Sequence, residues 1–121
     1  MTKQLKSLGE ISDMILDLKL MGLQQVTQKA EVLKQKNQEL DTAKQARSSA
    51  LTREASLDMA QLSGRDEAWH DWMQNVRRAH NFELAKLYAE REECMAEARH
   101  AMGRADVIKS LLKKQAKSRV G

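Results

Sequence analysis

The sequence predicts an all-α protein, two long helices folded on each other as an antiparallel coiled-coil hairpin. Three observations carry that expectation. The 121 residues contain no proline, so nothing in the chain forces a helix to stop. Ala, Leu, Lys, Gln, Glu, Arg and Met dominate the chain; these are the strong helix formers, and a composition rich in them reads as long helix. Apolar residues, 41% of the chain, recur at alternating spacings of three and four, whereas a solvated disordered tail has no reason to be periodic.

The first arm is expected over about 4–62. Leu8, Ile11, Ile15 and Leu18 form one apolar run, Val26, Leu33 and Leu40 recur every seven residues, and so do Ala43, Ala50 and Leu57. Two four-residue steps, Leu18 to Gly22 to Val26, join the first two runs as a stutter, which relaxes a supercoil without ending the helix. Ser63-Gly64-Arg65-Asp66 is the strongest break, with a glycine able to take a left-handed conformation and two residues able to cap a following helix. A turn is therefore expected at 63–66.

The second arm, about 67–117, has the cleaner repeat. Leu84, Leu87, Arg91, Cys94, Ala98, Ala101, Ala105, Ile108 and Leu112 follow one another at threes and fours. Trp69, Met73, Val76 and His80 extend the stripe through a second stutter. Each arm thus carries one narrow apolar stripe, and a turn between them lets the stripes bury each other. Centred on Gly64, such a hairpin pairs residues whose numbers sum to about 128. It brings Gly22 and Gly103 to one level, where a bend or a close backbone approach is expected.

Charge separates the two ends of this hairpin. The net charge is +4, to which residues 1–9 contribute +2 and residues 109–121 contribute +5. Folding brings these ends together, concentrating Lys3, Lys6, Lys109, Lys113, Lys114 and Lys117. The two tryptophans, one phenylalanine and one tyrosine all fall between Trp69 and Tyr88. Met73 and Val76 already occupy the stripe there, so some of these rings face outward.

Catalytic chemistry has little to build on, because a two-helix hairpin offers no pocket for convergent groups. Glu67-Ala-Trp-His70 and Glu97-Ala-Arg-His100 have the spacing of helical metal ligands. They lie thirty residues apart on one helix, about 45 Å, too far to share an ion. No glycine-rich phosphate loop, His-Glu-x-x-His motif or cysteine pair occurs. No enzyme activity, metal or cofactor is expected. One cysteine, Cys94, excludes an intrachain disulfide and reads as a small stripe residue. No run approaches the ~20 apolar residues of a membrane span, and the N-terminus lacks the apolar core of a secretory signal, which points to the cytoplasm without membrane insertion. The basic C-terminus has no interleaved aromatics, and the arms carry acidic runs such as Glu90-Arg-Glu-Glu93. An acidic protein surface is therefore the favoured partner and nucleic acid the disfavoured one.

The stretch Trp69-His-Asp-Trp-Met-Gln-Asn-Val-Arg-Arg-Ala-His-Asn-Phe-Glu-Leu84, opening the second helix of such a hairpin, resembles the FliJ family. Those are the small cytoplasmic proteins of the flagellar type III export apparatus, and the injectisome stalk proteins share their form. The resemblance is strongest over Trp72-Met-Gln-Asn-Val-Arg-Arg-Ala-His80. It implies a non-enzymatic stalk that enters the hexameric export ATPase and also engages the cytoplasmic ring of the membrane export gate, with export chaperones as further partners. It implies gate contact through the matching apolar positions Trp72, Val76 and Ala79, with Trp69 ahead of them and Glu83 where the family can carry a histidine. The chain is short for the family. The six lysines at the hairpin end are read as the ATPase-ring contact. The competing expectation is a structural or adaptor coiled coil that homodimerises and has no role in secretion.

Overall fold

The computed structural model describes residues 2–53 and 59–120, with side chains over 3–50 and 64–118. Every described residue is helical. Helix α1 spans Thr2–Arg53 and helix α2 spans Met59–Val120. The two pack against each other, so the expected all-α hairpin is the fold. Their contacts divide the chain into two compact units, one of Met1–Gln28 with Ala89–Gly121, the other of Lys29–Tyr88. No helix is long and apolar enough to cross a membrane among the described residues.

The expected turn at 63–66 is corrected. Those four residues lie inside α2, and no described glycine has a positive φ. A methyl group placed on Gly64 would meet nothing within 4 Å. Glycine costs about 1 kcal/mol in a helix interior, and α2 carries it. Asp66 does not cap a helix either. Its carboxylate accepts from Arg47 Nε at 2.9 Å and faces His70 Nε2 at 3.3 Å. Helix α1 ends at Arg53 and α2 begins at Met59; residues 54–58, Leu57 of the expected stripe among them, lie outside the described residues.

Moving the connection shifts the register. In the first unit Lys19 pairs with Glu97 at 3.1 Å, where a turn at Gly64 would have set it against Lys109. In the second unit Asn37 meets His80 and Asn81, where the same turn would have set it against Arg91. Partner numbers fall as α1 numbers rise, so the helices run in opposite directions within each unit.

The buried positions follow a stricter repeat than the apolar residues do. On α1 the positions turned inward include Leu5, Gly9, Ser12, Leu16, Lys19, Leu23, Val26, Ala30, Leu33, Asn37 and Leu40, at unbroken threes and fours. On α2 the inward series runs Asp66, His70, Met73, Arg77, His80 and Leu84, then continues through Ala98, Ala101, Ala105 and Ile108. Neither stutter is needed. Both arose from following apolar residues where the seam passes through polar ones. Leu8, Ile11, Ile15 and Leu18 are correspondingly exposed, and so are Ala43 and Ala50. The α2 stripe from Leu84 to Leu112 lies inward as expected, with Cys94 half-buried.

The two units achieve packing differently. In the first, the buried residues on α2 are Ala98, Ala101, Ala105 and Ile108, small enough for the helices to approach closely. The close approach is at Gly9, where an added methyl would lie 3.3 Å from Ile108 Cγ2. Gly22 and Gly103, expected to mark it, face open space. In the second unit Ala30, Met73 and Leu84 are buried, and polar pairs cross the seam between half-buried leucines such as Leu33 and Leu40. Apolar burial contributes only about 0.8 kcal/mol per methylene, so seams this thin leave modest stability.

Gly64→Ala tests the corrected turn. A helical Gly64 predicts stabilisation by about 0.5–1 kcal/mol, measured by urea denaturation followed by circular dichroism. Destabilisation of that size would restore the left-handed turn.

Candidate functional site

The polar seam of the second unit begins at Asn37. His80 Nδ1 donates to Asn37 Oδ1 at 2.9 Å, and Asn37 Nδ2 donates to Asn81 Oδ1 at 3.2 Å. One amide is thereby engaged from both ends, an arrangement that requires a proton on His80 Nδ1. Arg77 pairs with Asp41. Arg47 reaches Asp66, and its guanidinium carbon sits 4.8 Å from the centroid of the Trp69 ring. His70 then stands edge-on to Trp69, with ring centroids 5.3 Å apart.

These contacts decide which aromatic faces are available. Trp69 is half-buried under Arg47, and Tyr88 is half-buried with Lys34 Nζ 5.6 Å from its centroid. Trp72 is 54% exposed and Phe82 65% exposed. The residues matched to an export-gate contact, Trp69, Trp72, Val76, Ala79 and Glu83, are spaced by three and four along α2, beside the seam stripe rather than on it. They form one line in the second unit. Trp69 and Val76 are half-buried, whereas Trp72, Ala79 and Glu83 are exposed. Phe82 lies off this line, turned further from the seam, and is exposed with Lys86 Nζ 5.0 Å from its ring centroid.

The basic cluster belongs to the first unit. Lys3, Lys6, Lys109, Lys113, Lys114 and Lys117 are all exposed there. The corrected register leaves this grouping intact, because both helix ends fall in that unit wherever the connection lies. The sequence reading missed the outer face of α1, where Leu8, Ile11, Met14, Ile15, Leu18 and Met21 are between 45% and 66% exposed. The signal for this face was the apolar run itself, which had been given to the seam.

No group of three or more His, Cys, Asp and Glu side chains is arranged to hold a metal ion among the described residues. His70 of the first Glu-x-x-His sequence is occupied with Asp66, and Glu97 of the second with Lys19. The arrangement leaves exposed side chains of two kinds: an aromatic and apolar line on one unit, and cations with an apolar face on the other.

A double-mutant cycle between Arg47→Ala and Asp66→Ala separates their ion pair from the cover that Arg47 gives Trp69. The pair is part-buried, so a coupling of about 0.5–1 kcal/mol is expected from urea denaturation, together with a rise in Trp69 quenching by iodide in Arg47→Ala. Zero coupling with unchanged quenching would contradict this packing.

Compared with known proteins, the chain matches no family model, no curated protein and no solved structure.

Proposed function

We propose that this chain is a non-enzymatic coupling protein of the flagellar, or a related type III, protein export apparatus. In this reading it links the cytoplasmic hexameric export ATPase to the cytoplasmic ring of the membrane export gate. It works in the cytoplasm, peripherally attached to the export machinery, with export chaperones as further partners. The observation that carries the reading is the exposed Trp72, on the stretch resembling the FliJ family and off the helix–helix seam. Large aromatics left in water on a small helical protein are typical anchors of a protein interface.

A coupler needs two contact surfaces that do not compete. Support comes from their chemical difference: Trp72, Val76 and Ala79 offer an apolar anchor line in the second unit, and the six exposed lysines offer a cationic surface in the first. The lysines suit an acidic ring interior, whose attraction speeds association and weakens with salt. Glu83 closes the aromatic line with a carboxylate and favours a cation on the gate side.

Two substitutions test the two ends separately. Trp72→Ala is expected to weaken binding to the purified gate ring at least tenfold, measured by calorimetry, with the helical circular dichroism unchanged because the ring is exposed. Undiminished gate binding by a folded variant would remove Trp72 from the interface. Replacing Lys109, Lys113, Lys114 and Lys117 together with glutamate is expected to abolish co-sedimentation with the ATPase hexamer. Retained binding would overturn the assignment of that end.

A further inference from the structure

One large exposed surface of the first unit has no part in the seam or in the proposed function. Leu8, Ile11, Met14, Ile15, Leu18 and Met21 stand in solvent along α1, beside the residues that α1 turns toward α2. A small helical protein rarely leaves so much apolar side chain uncovered on one stretch of helix. Their exposed fractions leave roughly 600 Å² of surface per chain, so two such faces laid together bury about 1,200 Å², the area at which specific protein interfaces begin.

We infer that this face docks a second copy of the chain, α1 against α1, with the two helices antiparallel. Spacing argues for that occupant. The intervals from Leu8 to Ile11 to Ile15 to Leu18 are three, four and three, which read the same in both directions. A two-fold axis beside residue 13 therefore sets Leu8 opposite Leu18 of the second copy and Ile11 opposite Ile15, so that every residue of the run meets an apolar one. Met14 falls next to the axis and meets its own counterpart, and its flexible side chain can fill the space there. Charge points the same way. Residues 1–28 carry Lys3, Lys6 and Lys19 against Glu10, Asp13 and Asp17, so two copies of this part of α1 approach without net repulsion. The α2 part of the unit, residues 89–121, has eight Lys and Arg against five Asp and Glu, a net +3, and would repel its own copy.

The pairing contains one like-charge contact. Glu10 and Asp17 flank the face beside Met14, and the two-fold axis brings Glu10 near Asp17 of the second copy. Both are exposed, so their repulsion is weak and is screened by salt. Association through this face should therefore strengthen with salt, the opposite of the lysine contact proposed for the ATPase ring. An anionic lipid surface fits less well, because Glu10, Asp13 and Asp17 would be repelled by it. The dimer joins two complete hairpins and uses none of the residues assigned to the gate or the ring, so it does not rest on the export reading.

Analytical ultracentrifugation of the full chain over a range of concentrations tests this. A reversible monomer–dimer equilibrium is expected, tighter at high salt. Ile11→Gln should weaken it at least tenfold, because each substitution is counted twice in a two-fold dimer, while circular dichroism stays helical because Ile11 is exposed. Leu20→Gln, an exposed leucine on the far side of α1 from this face, should leave it unchanged. Asp17→Lys should tighten it several-fold by placing a cation against Glu10 of the second copy. A chain that stays monomeric at every concentration, a dimer weakened equally by Leu20→Gln, or a dimer weakened by Asp17→Lys would each overturn the inference. So would binding to vesicles of phosphatidylcholine and phosphatidylglycerol that is lost in Ile11→Gln, which would give the face to lipid. Trp72 and the ring lysines stay intact throughout, so failure here leaves gate and ATPase binding to be judged separately.

Discussion

The structure depends on one constraint: α1 and α2 must hold a single register along a seam that contains few large apolar side chains. Within the second unit, Asn37 with His80 and Arg47 with Asp66 provide the discrimination that bulk would otherwise provide. Sliding α2 by one heptad keeps the three-and-four pattern but sets Asn37 against Leu87 and Arg47 against Met73. Each slipped polar group loses a partner at a cost of about 0.5–1 kcal/mol, since these groups are only part-buried. Polar residues in a seam lower stability while selecting one alignment.

That constraint explains why the surfaces lie where they do. Since α1 turns Gly9, Ser12 and Lys19 toward α2, Leu8, Ile11, Met14, Ile15, Leu18 and Met21 remain outside. A conventional seam would have used them. Gly9 instead brings the backbone close to Ile108, and the displaced apolar stripe stays exposed on α1. In the second unit the same logic withdraws Trp69 beneath Arg47 and leaves Trp72 and Phe82 as the exposed rings. Contact surfaces and seam are thus two consequences of one allocation of residues.

How much could be read from the sequence follows from the same point. The helical class was legible because composition and the absence of proline act locally. The α2 stripe from Leu84 to Ile108 was legible because its seam positions are apolar or small. The α1 stripe was not, since hydrophobicity there marks the outer face and only the partner helix shows which face is inner. Gly64 was misread because glycine permits a turn without requiring one, and Asp66 because an acid near a glycine looks like a cap until Arg47 is seen opposite. The line Trp69, Trp72, Val76, Ala79 and Glu83 came from the family resemblance rather than from periodicity, and its division into covered and exposed rings depends on the register. The lysine cluster survived that error because both helix ends fall in one unit.

The register is therefore the most direct thing to measure. Spin labels at positions 19 and 97 should report a short distance by double electron–electron resonance, with Cys94 replaced by alanine to keep labelling specific. Labels at 19 and 109 should lie much farther apart, because twelve helical residues displace one label along the axis by about 18 Å. A short distance between 19 and 109, with 19 and 97 separated, would contradict the seam and every surface assignment that follows from it.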